Sequence, residues 1–388
     1  MIWINIFLFV VGLVMLIKGG DWFVDGAAGI ARRFHLPELL IGATVVSIGT
    51  TLPEVMVSAQ GAISGAGDMA YGNAIGSIIC NTALIAAITI AVSPAKTERR
   101  ALILPITFFF AAAVFYVFVA YFFGEFARWV GIALLCIFII YIISVILQIK
   151  KGPPSELDGV VDEPEAVENK EEETKHVSFI TLAIESLVVF GGGAIMIYRG
   201  SVFRWIAVAM IAIFAVYAIL SLVRRFTNQK PLNMLNEIFF MVIGAAVIAG
   251  GANMLVDSGT AIATEFGVPQ TVIALTFVAL GTSLPELVTA ITSLAKGHGA
   301  LSLGNIIGAN LFNLVLVSGV ATTISPFPVP EGSQIMGMPA SLVLDIPVML
   351  GVMLILTVPA LIFKKLYRAQ GIVLLCIYAS FCVAQFVI

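Results

Sequence analysis

The sequence predicts an all-α polytopic membrane protein of about twelve transmembrane helices, arranged as two repeats of inverted topology. Three observations predict it. The chain is 60% hydrophobic and 11% charged with a mean hydropathy of +1.08, far above what a soluble domain carries. The hexad Gly49-Thr50-Thr51-Leu52-Pro53-Glu54 returns 232 positions later as Gly281-Thr282-Ser283-Leu284-Pro285-Glu286, and the same offset relates Asp25 to Asp257, Pro37 to Pro269, Gly72-Asn73 to Gly304-Asn305 and Asn81 to Asn313. The basic residues, finally, collect on one side of a twelve-span thread.

The spans follow in order at approximately 2–30, 37–64, 71–93, 101–123 and 128–149, then 178–198, 203–223, 234–264, 269–296, 303–323, 341–363 and 369–387. Each is long enough to cross a hydrocarbon layer of about 30 Å. The first runs from Ile2 past Leu16 into Lys18 with no small-residue cleavage site, which reads as a span and not a signal peptide. Between the fifth and sixth lies a stretch with Pro153-Pro154, Glu156, Asp158, Asp162-Glu163, Glu165, Glu168 and Glu171-Glu172-Glu173. It has too little apolar surface to offset its ordering entropy and reads as a soluble linker; its acids lack the EF-hand spacing. The organisation is thus a first repeat of five helices at 1–149, an acidic linker at 150–177, an additional hairpin at 178–230 and a second repeat of five helices at 231–388. Cys80, Cys136, Cys376 and Cys382 all fall in apolar segments at no metal-ligand spacing and read as buried free thiols.

Arg32, Arg33, Lys96, Arg99, Arg100, Lys150, Lys151, Arg224, Arg225, Lys230, Lys296, Lys364, Lys365 and Arg368 fall on one side of this thread, and only Arg128, Arg199 and Arg204 on the other. The positive-inside rule then puts both termini outside a cell (plasma or inner) membrane and the acidic linker in the cytoplasm. The first repeat starts outside and the second, near Asn233, starts inside. Inverted repeats with interrupted helices mark secondary transporters, whose sites form at the repeat interface.

The chemistry lies in the hexads. A proline inside a span removes a backbone hydrogen bond and clashes with the preceding turn, so it breaks the helix and frees carbonyls, here near Val46-Ser47 and Val278-Ala279. Such backbone survives in a membrane only where protein or a wet cavity surrounds it. With the hydroxyls of Thr50, Thr51, Thr282 and Ser283 and the carboxylates of Glu54 and Glu286, these carbonyls make a set of hard oxygen ligands suited to Na⁺, Ca²⁺ or another hard cation, with nothing soft for zinc or copper. One buried glutamate is explained by a protonated acid on a carbonyl. Two at matched positions call for a cation, because a carboxylate at bilayer depth costs at least about 2.5–3.5 kcal/mol.

The second matched block is Gly72-Asn73-Ala74-Ile75-Gly76-Ser77-Ile78-Ile79-Cys80-Asn81 and Gly304-Asn305-Ile306-Ile307-Gly308-Ala309-Asn310-Leu311-Phe312-Asn313. Its glycines form a small-xxx-small packing face. Ser77 and Asn81 share a helix face, as do Ala309 and Asn313, which either glues helices together or sets the amide oxygens of Asn81 and Asn313 against the glutamates. Asp25 and Asp257 read as structural groups that cap or pair within the long first helices, and Lys18 is placed to pair with Asp21. His35, His176 and His298 sit at span ends or in the linker and no His-Glu-x-x-His is present, so an intramembrane hydrolase is not expected. Nor is a nucleic-acid partner. Proton-coupled antiport through the same glutamates and an uncoupled cation channel are the rival transport readings.

These two motifs, each in two copies, resemble the α-repeats of the cation/calcium exchanger superfamily, in particular its bacterial sodium/calcium exchangers, over roughly residues 19–90 and 251–322. The resemblance implies a ten-helix exchanger core, to which this chain adds a two-helix insertion, that exchanges Na⁺ for Ca²⁺ by alternating access with the two long first helices moving past a fixed bundle. It implies that Glu54 and Glu286 are the Ca²⁺ ligands, helped by the carbonyls of Thr50 and Thr282. It implies an outer Na⁺ site of Ser77, Thr282, Ser283, the Ala279 carbonyl and Glu54, and an inner one of Thr50, Thr51, the Ser47 carbonyl and Glu286. The ions are then substrates, and no cofactor is expected. The chain departs from the family's pattern in carrying Ala309 where several members have serine, and Asn313 where they often have aspartate. The first removes a hydroxyl from the inner Na⁺ site, and the second leaves two central carboxylates and argues against K⁺ co-transport.

Overall fold

The computed structural model describes residues 2–33, 36–94, 97–150, 233–266, 281, 283–331, 334–335 and 337–387, with isolated positions between 189 and 219. The acidic stretch from 151 and most of the spans predicted at 178–198 and 203–223 lie outside the described residues. The described chain is almost wholly helical. In order it forms α1 (Ile2–Arg33), α2 (Glu38–Ile63), α3 (Gly67–Val92), α4 (Arg99–Phe122), β1 (Glu125–Phe126), α5 (Arg128–Lys150), α6 (Asn233–Glu265), α7 (Leu284–Ala295), α8 (Gly299–Ile324), β2 (Phe327–Pro328), β3 (Gln334–Ile335), β4 (Met338–Pro339), α9 (Ser341–Phe363) and α10 (Arg368–Val387). Nine of these helices are long and apolar enough to cross a membrane, and α7 is a shorter apolar helix within the span predicted at 269–296.

The two longest helices, α1 and α6, pack antiparallel along most of their length. Gly12, Gly19 and Gly26 on α1 recur every seven residues; the first two meet Gly251 and Gly244 on α6, and Gly26 meets the backbone of Glu237 and Met241. The backbones touch there: a Cβ on Gly12 would lie 2.9 Å from the Gly251 carbonyl oxygen, closer than any side chain tolerates. Arg33 closes one end of the seam, its Nε and Nη2 donating to the Glu237 carboxylate at 2.8 and 3.0 Å. On the flank, Tyr217 stacks on Phe239 at 4.0 Å between ring centroids. The described part of the inserted hairpin therefore rests on the α1–α6 pair, in a cluster with Met15, Trp22, Phe214, Ile243 and Val247.

The remaining helices form a second body around α8, which is buried from Leu301 to Val315. Elements of the two repeats interleave here, α8 lying against α2, α3, α4 and α7. At one end of the bundle β1 pairs antiparallel with β2, Phe126 opposite Phe327, and Tyr71 and Tyr121 donate to the carbonyls of Ser341 and Leu342. Arg128 lies at this end, 3.4 Å from the Ile324 carbonyl. At the opposite end the Thr97 amide donates to the Lys364 carbonyl at 2.9 Å, Arg368 reaches the Val92 carbonyl, and His298 lies 2.7 Å from Glu38. The outward faces carry exposed Val114, Phe122, Ile132, Ile139 and Ile362, the apolar surface a lipid bilayer covers.

Two expectations need correction. The cysteines are free, but only Cys80 is buried in protein, while Cys136 and Cys376 face outward; an apolar span has a lipid side, so apolar context alone does not imply a protein core. Pro53 does not break its helix. The segment Ser47–Ile63 is continuous α-helix through it, and the distortion sits upstream, as a π-helical turn over Gly42–Val46. A widened turn inserts one extra residue and rotates everything that follows it about the helix axis.

Candidate cation site

The π turn of α2 sets the first hexad. Within it the Ala43 carbonyl accepts from the Tyr141 hydroxyl at 2.8 Å. The Ser47 hydroxyl lies 2.7 Å from the Gly42 carbonyl and 2.9 Å from the Asn305 carbonyl. Thr50 sits one turn on, its Oγ1 3.2 Å from Asn305 Oδ1 and 3.4 Å from the Ser47 carbonyl. The first hexad is thus tied to the second repeat. In the second copy Ser283 is non-helical (φ −92°, ψ 5°), and α7 begins at Leu284 with Pro285 in its first turn, where its missing N–H is no loss.

The two copies of the glycine-asparagine block cross the hexads. Gly304 and Gly308 let α8 meet α2 at backbone distance: a Cβ on Gly304 would strike the Leu39 carbonyl, and one on Gly308 would strike Ser47 Oγ and the Ala43 backbone. Asn73 and Asn305, which sequence reasoning left as motif positions without a role, hold the hexads. Asn73 Nδ2 donates to the Glu54 carbonyl at 3.1 Å and to Ser58 Oγ at 2.8 Å, while Asn305 Oδ1 takes the Thr50 contact. Their exact repeat correspondence was the signal available. Both α3 and α8 widen into π turns beginning at the matched residues Asn81 and Asn313.

Glu54 and Glu286 are fully buried and are neighbours, with Thr50 and Thr51 near the Glu286 carboxylate. No carboxylate oxygen of either has a hydrogen-bond partner, nor do Thr51 Oγ1, Ser283 Oγ or either amide atom of Asn81 and Asn313. Ser77 is buried and its repeat mate Ala309 is fully buried. Glu54, Glu286, Thr50, Thr51, Ser47, Ser77, Ser283, Asn81 and Asn313 are all buried, on helical elements of the two halves that pack against one another; Thr282 and Ala279 lie outside the described residues. One soft group joins them, since the buried Cys80 thiol neighbours Ser283 and Glu286. No group of three or more His, Cys, Asp and Glu side chains placed to hold a metal occurs among the described residues.

Each buried polar group without a partner costs about 1–3 kcal/mol, and a charged one more. So many on helices that pack together mark a place built for something they bind. Acceptor oxygens dominate, and a hard cation between the carboxylates satisfies them and offsets their repulsion. Asp25 pairs outside the long first helices and not within them: Lys296 Nζ lies 2.7 Å from its Oδ1 and 3.4 Å from Asp21 Oδ1, with Lys18 3.8 Å from Asp21.

Residues 4–147 and 236–387 match the family model described as sodium/calcium exchanger protein. The chain is 30% identical to the sodium/calcium exchanger MaX1 of Methanosarcina acetivorans, over 100% of both chains. It is 29% identical to the inner membrane protein YrbG of Escherichia coli, over 82% of this chain and 79% of that one. Among solved structures it is similar to the sodium-calcium exchanger NCX_Mj soaked with zero Na⁺ and Ca²⁺, at a TM-score of 0.68 and 25% identity over 100% of both chains.

Proposed function

The chain belongs to the sodium/calcium exchanger protein family, a family of transporters and not enzymes, and from that premise we propose that it is a secondary active antiporter that exchanges Na⁺ for Ca²⁺ across the cell membrane by alternating access. The observation that carries the proposal is the buried set in which two neighbouring carboxylates, with the hydroxyls of Thr51 and Ser283 and the amides of Asn81 and Asn313, have no protein partner.

Ca²⁺ between Glu54 and Glu286 meets two negative charges and neutral oxygens around them, with the carbonyls of Thr50 and Thr282 completing the set. Na⁺ ions take the flanking positions, the outer one of Ser77, Thr282, Ser283, the Ala279 carbonyl and Glu54, the inner one of Thr50, Thr51, the Ser47 carbonyl and Glu286. Both cations draw on the same carboxylates, so the carrier holds one load or the other. That competition is the coupling: each ion stabilises its own occupied state, and neither crosses without displacing the other. Repeats 1–149 and 231–388 supply one hexad each. The grouping of Arg33, Lys296, Lys364 and Arg368 at one end and Arg128 at the other supports an orientation with both termini outside and the acidic linker in the cytoplasm.

The test is ⁴⁵Ca²⁺ uptake into proteoliposomes loaded with Na⁺, compared with vesicles loaded with K⁺ or choline and with vesicles carrying only a pH gradient. Saturable uptake that requires internal Na⁺ is expected. Uptake driven by the pH gradient alone would make the two glutamates proton carriers and the protein an H⁺/Ca²⁺ antiporter. A companion expectation concerns Ala309. Ala309→Ser restores a hydroxyl beside Asn313 and lowers the half-saturating Na⁺ concentration about fivefold, the equivalent of roughly 1 kcal/mol for one added oxygen contact. An unchanged Na⁺ activation curve would remove Ala309 from the inner site.

A further inference from the structure

One buried oxygen beside the site belongs to none of the residues assigned so far. Asn310 is fully buried on α8, three residues before Asn313 and next to Ala309. Its Nδ2 donates to Thr82 Oγ1 at 2.7 Å and to Met353 Sδ at 3.2 Å, and the Thr82 hydroxyl lies 3.3 Å from the same sulfur. The donors of this cluster are accounted for within it. Asn310 Oδ1 is left buried with no partner, a bare acceptor on an amide whose orientation is fixed from its other end.

Its position ties it to the cation layer. Thr82 follows Asn81 in the π turn of α3, and Asn310 lies one turn before Asn313, where α8 widens in the same way. The Asn310–Thr82 hydrogen bond therefore joins the two helices at the level where both site asparagines leave their amides free. It is also one-sided. At the repeat offset Asn310 corresponds to Ile78 and Thr82 to Leu314, so the other half of the molecule has no such oxygen. The polar member stands in the half where Ala309 replaces a hydroxyl.

We propose that Asn310, oriented by Thr82 and Met353, supplies a further Na⁺-binding oxygen on the Asn313 side of the site, taking over part of the work of the hydroxyl that Ala309 lacks. A neutral, acceptor-only oxygen suits a monovalent cation better than Ca²⁺, whose affinity rises with the number of charged ligands. The assignment rests on the Na⁺/Ca²⁺ reading above.

The experiment measures Na⁺ activation of ⁴⁵Ca²⁺ transport and Na⁺-free Ca²⁺/Ca²⁺ self-exchange in reconstituted wild type, Asn310→Leu and Thr82→Val. In Asn310→Leu the half-saturating Na⁺ concentration rises roughly tenfold, one decade of affinity, while self-exchange falls far less. Thr82→Val keeps the oxygen but releases its amide, and gives a smaller rise in the same direction. A wild-type Na⁺ curve in Asn310→Leu would overturn the proposal and leave a water-filled or purely packing role. So would a loss of both activities in equal proportion with Thr82→Val behaving as wild type. If Asn310→Leu does not fold, Thr82→Val decides, an unshifted Na⁺ curve counting against the proposal. Failure of the underlying reading shows elsewhere, as a wild type that transports Ca²⁺ with no Na⁺ requirement.

Discussion

Glu54→Gln and Glu286→Gln each reduce Na⁺-driven Ca²⁺ uptake about 150- to 4,000-fold, the equivalent of the roughly 3–5 kcal/mol at stake when one member of a buried charge arrangement is removed. The two glutamates are neighbours inside the protein with no hydrogen bonds to their oxygens, so a bound divalent cation is balanced by the pair and left half-balanced by either alone. The same geometry makes a second, opposite expectation about stability. Without Ca²⁺ the wild type holds two neighbouring unpartnered carboxylates, and either glutamine variant relieves that strain. Thermal unfolding in detergent should therefore show both variants at least as stable as wild type in Ca²⁺-free buffer. The stabilisation that Ca²⁺ gives the wild type should be lost in both. A variant that loses uptake but keeps the full Ca²⁺-induced shift in melting temperature would take that glutamate out of the Ca²⁺ site.

Gly308→Ala produces the second large effect, and for a steric reason. The added methyl has no room beside Ser47 Oγ and the Ala43 backbone. Ser47 cannot simply rotate away, because its hydroxyl sits between the Gly42 and Asn305 carbonyls and its carbonyl lies against Thr50. Overpacking of this kind costs about 1–3 kcal/mol, and the displacement falls directly on the first hexad. Thermal stability and transport should therefore fall together, with Na⁺ dependence weakened in what transport remains. Gly304→Ala, whose methyl strikes the Leu39 carbonyl, should match it in stability and disturb Na⁺ dependence less. Equal Na⁺ dependence in both variants would mean that the α2–α8 contact acts on the site only through global stability.

The helices and the paired glutamates were legible because their signals are local or repeated. Hydropathy marks a span wherever it lies, and an offset shared by Glu54, Asn81 and Asn73 with Glu286, Asn313 and Asn305 is visible without knowing the fold. What sequence did not disclose depends on which elements meet. Pro53 announces a disturbed helix, but whether the disturbance falls at the proline or in the turn before it depends on packing such as the Tyr141–Ala43 contact, between residues 98 positions apart. Asn305 and Thr50 are 255 positions apart, and Asn310 meets Thr82 and Met353 across three helices. Cys80 enters the neighbourhood of Glu286 for the same reason. The exposure of Cys136 and Cys376 shows the complementary limit, that hydropathy alone does not tell the lipid side of a helix from its protein side.

The glycine seam between α1 and α6 has a mechanical consequence. Two helices separated by side chains can creep past one another as rotamers rearrange; two helices whose carbonyls and amides touch at Gly12 and Gly251 have no such play, and Arg33 and Glu237 pin their ends. They constitute one stiff lever. Its described ion-pair tether to the bundle is Lys296, gripping Asp21 and Asp25 at the foot of α7, the helix that begins with Glu286's hexad. In the alternating-access cycle proposed above, a pair that can only move as a unit would carry both ends of its travel in one stroke, so that opening the site to one side and closing it to the other would be a single event.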